Sequence, residues 1–329
     1  QTITSDNINE VYPTYYPPRK SPKECYEQII ADLTDAEKYA PDNDNSDRTK
    51  MTKTVAQAML AKVYAEKEVQ DYDKVITYAD KVIKTTGVEL EDSYETLWGY
   101  DETTKDCLKR NTKEGILEVH WTTGGGNWET WMYGRQLDNW DYYFTWAKWI
   151  TPSRDIINDF EKEGDEIRKN QAIVYYACTW SNYYPASNYP FMYKLRSSYS
   201  NIYWIRLADI ILMKAEAEAY KGNLDESAKL VNQIRKRAKL KELTSDKTNS
   251  KEAMIEAVLH ERRLELAFEG ERWFDLCRNN KVEKYLNGID NRDKGRIKQV
   301  KLFDSNSYLL PIPQTALDQN TNLVQNPGY

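Results

Sequence analysis

The chain has 329 residues and a net charge of −6, with Lys and Arg dispersed along it, which argues against a nucleic-acid partner. Its 12% aromatic content comes from 25 Tyr and 10 Trp against only 6 Phe, a bias toward rings with a polar edge that suits wet binding surfaces. No stretch approaches the roughly 20 apolar residues of a membrane helix, and no apolar leader opens the chain, so any signal peptide or lipid-bearing cysteine is expected outside it.

Residues 1–22 are rich in Pro, Tyr and Asn and read as loop. Ser21 then caps a helix whose first position suits Pro22, and Tyr26, Ile29, Ile30, Leu33, Ala36 and Ala40 follow the helical period. The polar run 41–50 (PDNDNSDRTK) is a loop that faintly resembles a calcium site but lacks the closing Glu. A second helix over about 54–66 carries Val55, Met59, Leu60 and Val63 on one stripe. A third over about 72–84 shows Val75, Ile76, Ala79, Val82 and Ile83. With small residues where the helices touch and a polar turn ending in Asp71-Tyr72, the pair resembles a tetratricopeptide (TPR) hairpin.

Residues 87–200 read differently, as a long and mostly irregular insertion. The segment 115–121 (GILEVHW) predicts a short strand, and residues 152–163 a helix capped by Ser153 or Thr151. The Tyr-rich stretch 175–203, punctuated by Pro185 and Pro190, predicts strands or loops. Between them, residues 121–149 hold six Trp, three Tyr and one Phe. Trp128, Trp131, Tyr133, Tyr142, Tyr143 and Trp146 are close enough in sequence to form a stacking platform, with Arg135, Asp138 and Asn139 as nearby hydrogen-bonding groups. Such a mixture suits a sugar, whose C–H face stacks on a ring while its hydroxyls take forked polar partners. The bland alternative is that some of these rings pin the insertion to the scaffold. Stacking at about 1 kcal/mol per ring against an association cost of at least ~4 kcal/mol predicts micromolar to millimolar affinity.

The hairpin pattern recurs over 203–238, where Trp204, Leu207, Ala208, Ile211, Leu212, Ala215 and Ala219 share a face and Lys221-Gly222-Asn223 makes the turn. A further helix over about 251–269 leads into 261–278 (ERRLELAFEGERWFDLCR), where Arg and Glu alternate with apolar residues as in a semi-buried ion network at a helix junction. Residues 308–329 (YLLPIPQTALDQNTNLVQNPGY) carry Pro311, Pro313 and Asn326-Pro327-Gly328 and read as an extended, turn-rich tail without helix.

These last two runs closely resemble the C-terminal signature of the SusD/RagB family, and KSPKECYEQIIADLTDAEKYAP, EGILEVHW, TPSRDIINDFEKEGDEIR and YWIRLADIILMKAEA resemble family blocks in the same order. The resemblance implies a mostly α fold, a SusD-like superhelix of TPR-like hairpins with a long aromatic-rich insertion. The chain then reads as one domain in three parts, 21–86, 87–200 and 201–329, without the family's N-terminal third. It implies a lipid-anchored protein on the outer face of the outer membrane that captures oligosaccharides for a SusC-like TonB-dependent transporter. In the family the stretch preceding the TPSRD helix supplies aromatic residues to the glycan site. A RagB-like peptide binder and a TPR scaffold for proteins alone are the alternatives.

The residues do not point to catalysis, a cofactor or a metal. Glu261, Glu265 and Glu269 lie one turn apart among arginines, which lower a carboxyl pKa rather than raise one for acid duty. His120 and His260 lack any nucleophile motif, and Gly124-Gly125-Gly126 lacks the Lys-Ser/Thr of a phosphate loop. Cys25, Cys107, Cys178 and Cys277 form no ligand cluster and are expected as free buried thiols, with one or two disulfides of an exported protein as the alternative. The C-terminal motif itself is expected to fasten the fold and carry no ligand chemistry.

Overall fold

Local capping chemistry sets where the helices begin. The computed structural model describes residues 11, 14–101, 103, 104, 106–121, 151–178, 181–196, 199–295 and 298–329. Helix α1 (Pro22–Tyr39) starts on a capping box, with Ser21 Oγ accepting from the Glu24 N–H (3.2 Å) and the Glu24 carboxylate from the Ser21 N–H (3.0 Å). Thr52 and Asp71 cap α2 (Lys53–Ala65) and α3 (Tyr72–Ile83), which form the expected hairpin. The acidic loop before them is closed from within. Arg48 donates to Asn43 Oδ1 (2.6 Å), Asn45 Oδ1 (2.9 Å) and the Gly87 carbonyl (2.6 Å).

Within the insertion, strand β1 (Gly115–Val119) follows a helical turn at Glu95–Trp98 and a two-residue ladder of Tyr100–Asp101 with Asp106–Cys107. Ser153 caps α4 (Arg154–Glu163) and Asp165 caps α5 (Glu166–Ala172). The chain continues through β2 (Ile173–Tyr176) and β3 (Tyr189–Met192), an antiparallel pair. Strand β4 (Ile202–Arg206) then returns to pair antiparallel with β1.

Here the structure corrects the helical reading of 203–206. Tyr203, Trp204 and Ile205 belong to the strand, and α6 (Leu207–Lys221) begins only after Arg206. Gly222, at φ +86°, supplies the left-handed cap that ends α6 before α7 (Leu224–Arg237). The two hairpins are distant in sequence but meet in space through α3 and α6. One core joins Val55, Leu60, Ala79 and Val82 of the first to Ile211, Ala215, Val231 and Ile234 of the second, with Met254 and Val258 from α8 (Lys251–Glu265). Alanines at Ala58, Ala61, Ala208 and Ala215 are fully buried, which lets helix axes approach closely.

Helix α8 stops at Glu265, short of the expected 269, and α9 (Arg272–Arg278) follows a loop. The tail also differs from its sequence reading: Gln314–Gln319 is a short helix, because Pro313 sits at its N-cap, where a missing N–H costs nothing. All four cysteines remain thiols, but only Cys178 is buried, whereas Cys25 is exposed and Cys107 and Cys277 are half-buried.

Candidate ligand-binding site

The site is built on an ion web that α8 organises. Glu265 accepts from Arg206 Nη1 (2.7 Å), Arg168 Nη1 (3.1 Å) and Arg237 Nη2. Burial pushes its carboxyl up, but Arg237, Arg206 and Arg168 outweigh that and hold it well below the usual carboxylate range. Such a group stays ionised near neutral pH and is unsuited to general-acid duty. Arg206 also donates to Glu114 (2.8 Å) and to Glu269 (2.7 Å), while Arg168 reaches Glu261 (2.7 Å). Nearby, Arg262 bonds Asp275 (2.8 Å) and Asp209 (2.7 Å), and Arg278 pairs with Glu216 (2.7 Å). Charges this deep repay their desolvation only when hydrogen-bonded on several sides, as these are. The junction network expected for 261–278 is therefore present, and it ties β4, α5, α7, α8 and α9 together.

The loop between α8 and α9 is locked by the same web. Phe268 adopts φ +66° and Gly270 φ +88°, conformations that cost a bulky residue energy and a glycine none. Glu269, between them, is gripped by Arg206 on one side and by the Lys194 ammonium on the other. Burial brings Lys194 down to about 8, a fall that its contact with Glu269 only partly offsets.

This loop walls a cavity of about 890 Å³. Trp98, Tyr203 and Leu266 line it from buried positions, whereas Trp204 and Phe274 line it with 65% and 56% of their surface exposed. Rings with open faces beside polar groups are what stacking on a sugar requires. The Trp98 indole N–H is buried and has no acceptor among the described residues. The motif residues Arg263, Trp273 and Phe274 also line the cavity.

The nine sequence-predicted candidates, Trp128, Trp131, Tyr133, Arg135, Asp138, Asn139, Tyr142, Tyr143 and Trp146, lie outside the described residues. Of the two described residues that flank them, Thr151 lines the cavity and Trp121 does not. The Trp121 carbonyl accepts from Arg110 Nη2 (3.0 Å), whose Nη1 donates to the lining residue Asn201 (2.9 Å). Trp98, Trp204 and Phe274 were not anticipated as site residues. The available signal was alternation in β4, where exposed Trp204 stands between buried Tyr203 and Ile205. Both histidines serve carboxylates: His120 Nε2 lies 2.7 Å from Glu118 and His260 Nε2 lies 3.1 Å from Glu163.

A sequence model of the SusD family matches residues 183–329, from the β2–β3 connection through the ion web to the tail. Over that stretch the chain is similar to the SusD family. A SusD-like protein of Formosa agariphila is 27% identical over 94% of this chain and 66% of its own length, so the chain spans just under two thirds of that relative. A SusD superfamily protein of Bacteroides vulgatus superposes with a TM-score of 0.73 at 24% identity, covering 96% of this chain and 70% of that one. A laminarin-binding SusD-like protein gives a TM-score of 0.70 at 24% identity, over 94% of this chain and 70% of its own. These likenesses show a SusD-type fold.

Proposed function

We propose that this SusD-like chain binds oligosaccharides at the cell surface and passes them to a SusC-like TonB-dependent transporter, without chemical turnover. The observation that carries this reading is the cavity with two solvent-facing rings, Trp204 and Phe274, which Thr151, at one end of the aromatic-rich segment, also lines. The laminarin-binding relative of the same fold supports a glycan as the ligand. In this reading Trp128, Trp131, Tyr133, Tyr142, Tyr143 and Trp146 supply further stacking faces, and Arg135, Asp138 and Asn139 bond the hydroxyls. The whole chain acts as one binding unit, held to the outer face of the outer membrane by a lipid anchor rather than by a spanning helix. Among the described residues no helix is long and apolar enough to cross a membrane.

Isothermal titration with glycan and peptide libraries tests the proposal. Glycan binding at micromolar to millimolar Kd, with no release of reducing ends, is the expected result. Binding of peptides alone would replace the glycan reading with a peptide-capture one.

A further inference from the structure

Separate walls of the cavity are tied together at one buried side chain. We propose, on the basis of the glycan reading above, that Lys194 is a positioning residue for this cavity. Its ammonium, set between the Trp98 ring and Glu269, holds the site in its ligand-binding shape. Lys194 follows β3, and its Nζ lies 4.6 Å from the centre of the Trp98 ring. From there it donates to Glu269 and to the Glu265 carbonyl (3.1 Å). That carbonyl, at the last residue of α8, also accepts from Arg206 Nη2 (2.8 Å) and from the Tyr94 hydroxyl (2.8 Å). Arg206 ends β4, two residues after Trp204, and holds Glu269 through Nε (2.7 Å) and Nη2 (2.8 Å). Glu269 therefore binds the loop that leads to Phe274 both to the strand that carries Trp204 and to the chain beyond β3.

The loop needs both cations. Phe268 is held at φ +66° beside Glu269, a conformation a bulky residue keeps only where its surroundings impose it. Neutralising Lys194 removes one of the two cations on Glu269, and the loop relaxes away from the opposite wall. Burial brings the Lys194 ammonium down to about 8, with Glu269 and Glu265 opposing the fall and Arg206 adding to it. Three of the groups that face it keep their charge state there. Burial pushes the Tyr94 hydroxyl well above its ordinary value. Against burial, Glu269 and Glu265 hold Arg206 well above its own, while Arg237, Arg206 and Arg168 hold Glu265 well below. Arg196, two residues on, turns away to the Gln171 carbonyl (2.9 Å). Because the folded value of Lys194 lies below the unfolded one of about 10.4, the unfolded chain binds more protons between the two. This group's contribution to stability then rises with pH over that range, so binding lost there is not lost through unfolding.

The test is calorimetric titration of neutral, uronate-bearing and sulfated oligosaccharides, whose charges are constant between about pH 7 and about pH 9, into the wild type, Lys194→Met and Lys194→Arg. Circular dichroism verifies the fold at both pH values. Wild-type affinity is expected to fall by up to about tenfold across this range, as the charged fraction of Lys194 drops from about nine-tenths to about one-tenth. Lys194→Met is expected to bind at least about tenfold more weakly near neutral pH and without pH dependence. Lys194→Arg, charged throughout, is expected to restore binding and to stay flat with pH. Wild-type affinity that is flat with pH overturns the inference, whether or not the variants fold, and leaves the glycan reading intact. A slope that survives in Lys194→Met belongs to another group and also overturns it. Binding of none of these oligosaccharides at either pH overturns the glycan reading itself, and this inference with it.

Discussion

Replacing Glu265 with Gln removes one charge from the centre of the web while keeping its shape. The Glu265 side chain is fully buried and its oxygens serve three arginines, so the variant leaves positive charge without its shared partner. Removing one member of a buried pair costs about 3–5 kcal/mol. Each arginine here keeps another carboxylate: Arg206 keeps Glu114 and Glu269, Arg168 keeps Asp165 and Glu261, and Arg237 keeps Glu114. That places the expected loss at the lower end, about 3 kcal/mol, or a Tm lower by roughly 4–5 °C for a chain of this length. Urea unfolding followed by tryptophan fluorescence and circular dichroism measures it. The sign with pH follows from the depressed folded pKa of Glu265. The stabilisation is fully present above the unfolded carboxyl value of about 4.3 and is lost as pH falls through the lower folded value. The gap between wild type and variant should therefore hold near neutrality and close in acid. A gap under about 1 kcal/mol near neutral pH, or one that widens on acidification, would refute the reasoning.

Two further outcomes follow from local geometry. Gly270→Ala should cost about 1–2 kcal/mol, because φ is +88° and an added Cβ meets nothing within 4 Å, leaving backbone strain as the only term; an unchanged Tm would mean the loop is not locked. Burial pushes the Cys107 thiol up to about 12 and Cys277 up to about 11, and Cys178 is buried, so only exposed Cys25 should react quickly with Ellman's reagent in the folded protein. Cys25→Ser should abolish that fast phase, and a second fast thiol would contradict the described burial.

The helical hairpins were legible because their apolar stripes and Gly222 carry local signals that tertiary packing then reinforces. Strand β4 was not, since Tyr203, Trp204 and Ile205 extend the apolar run of α6 and their partner, β1, lies far away in sequence. The break after Glu265 was hidden for a similar reason. Leu266, Ala267 and Phe268 favour helix well enough, and the grip on Glu269 comes from Arg206 and Lys194, both remote in sequence. In the tail, Pro313 was read as a helix breaker when its position made it a helix start. The cavity escaped sequence reasoning because Trp98, Trp204 and Phe274 come from three separate segments. The aromatic segment itself was conspicuous from composition alone, and the Arg/Glu alternation of 261–278 correctly announced a buried network.

The most direct measurement is calorimetric titration of oligosaccharides into the protein and into a Trp128→Ala/Trp131→Ala/Trp146→Ala variant, with circular dichroism verifying the fold. The account predicts micromolar to millimolar glycan binding that weakens at least about tenfold in the variant, as two or three lost stacking contacts of about 1 kcal/mol require. Glycan binding unchanged in the variant, or binding of protein partners with no glycan bound at any concentration, would contradict it.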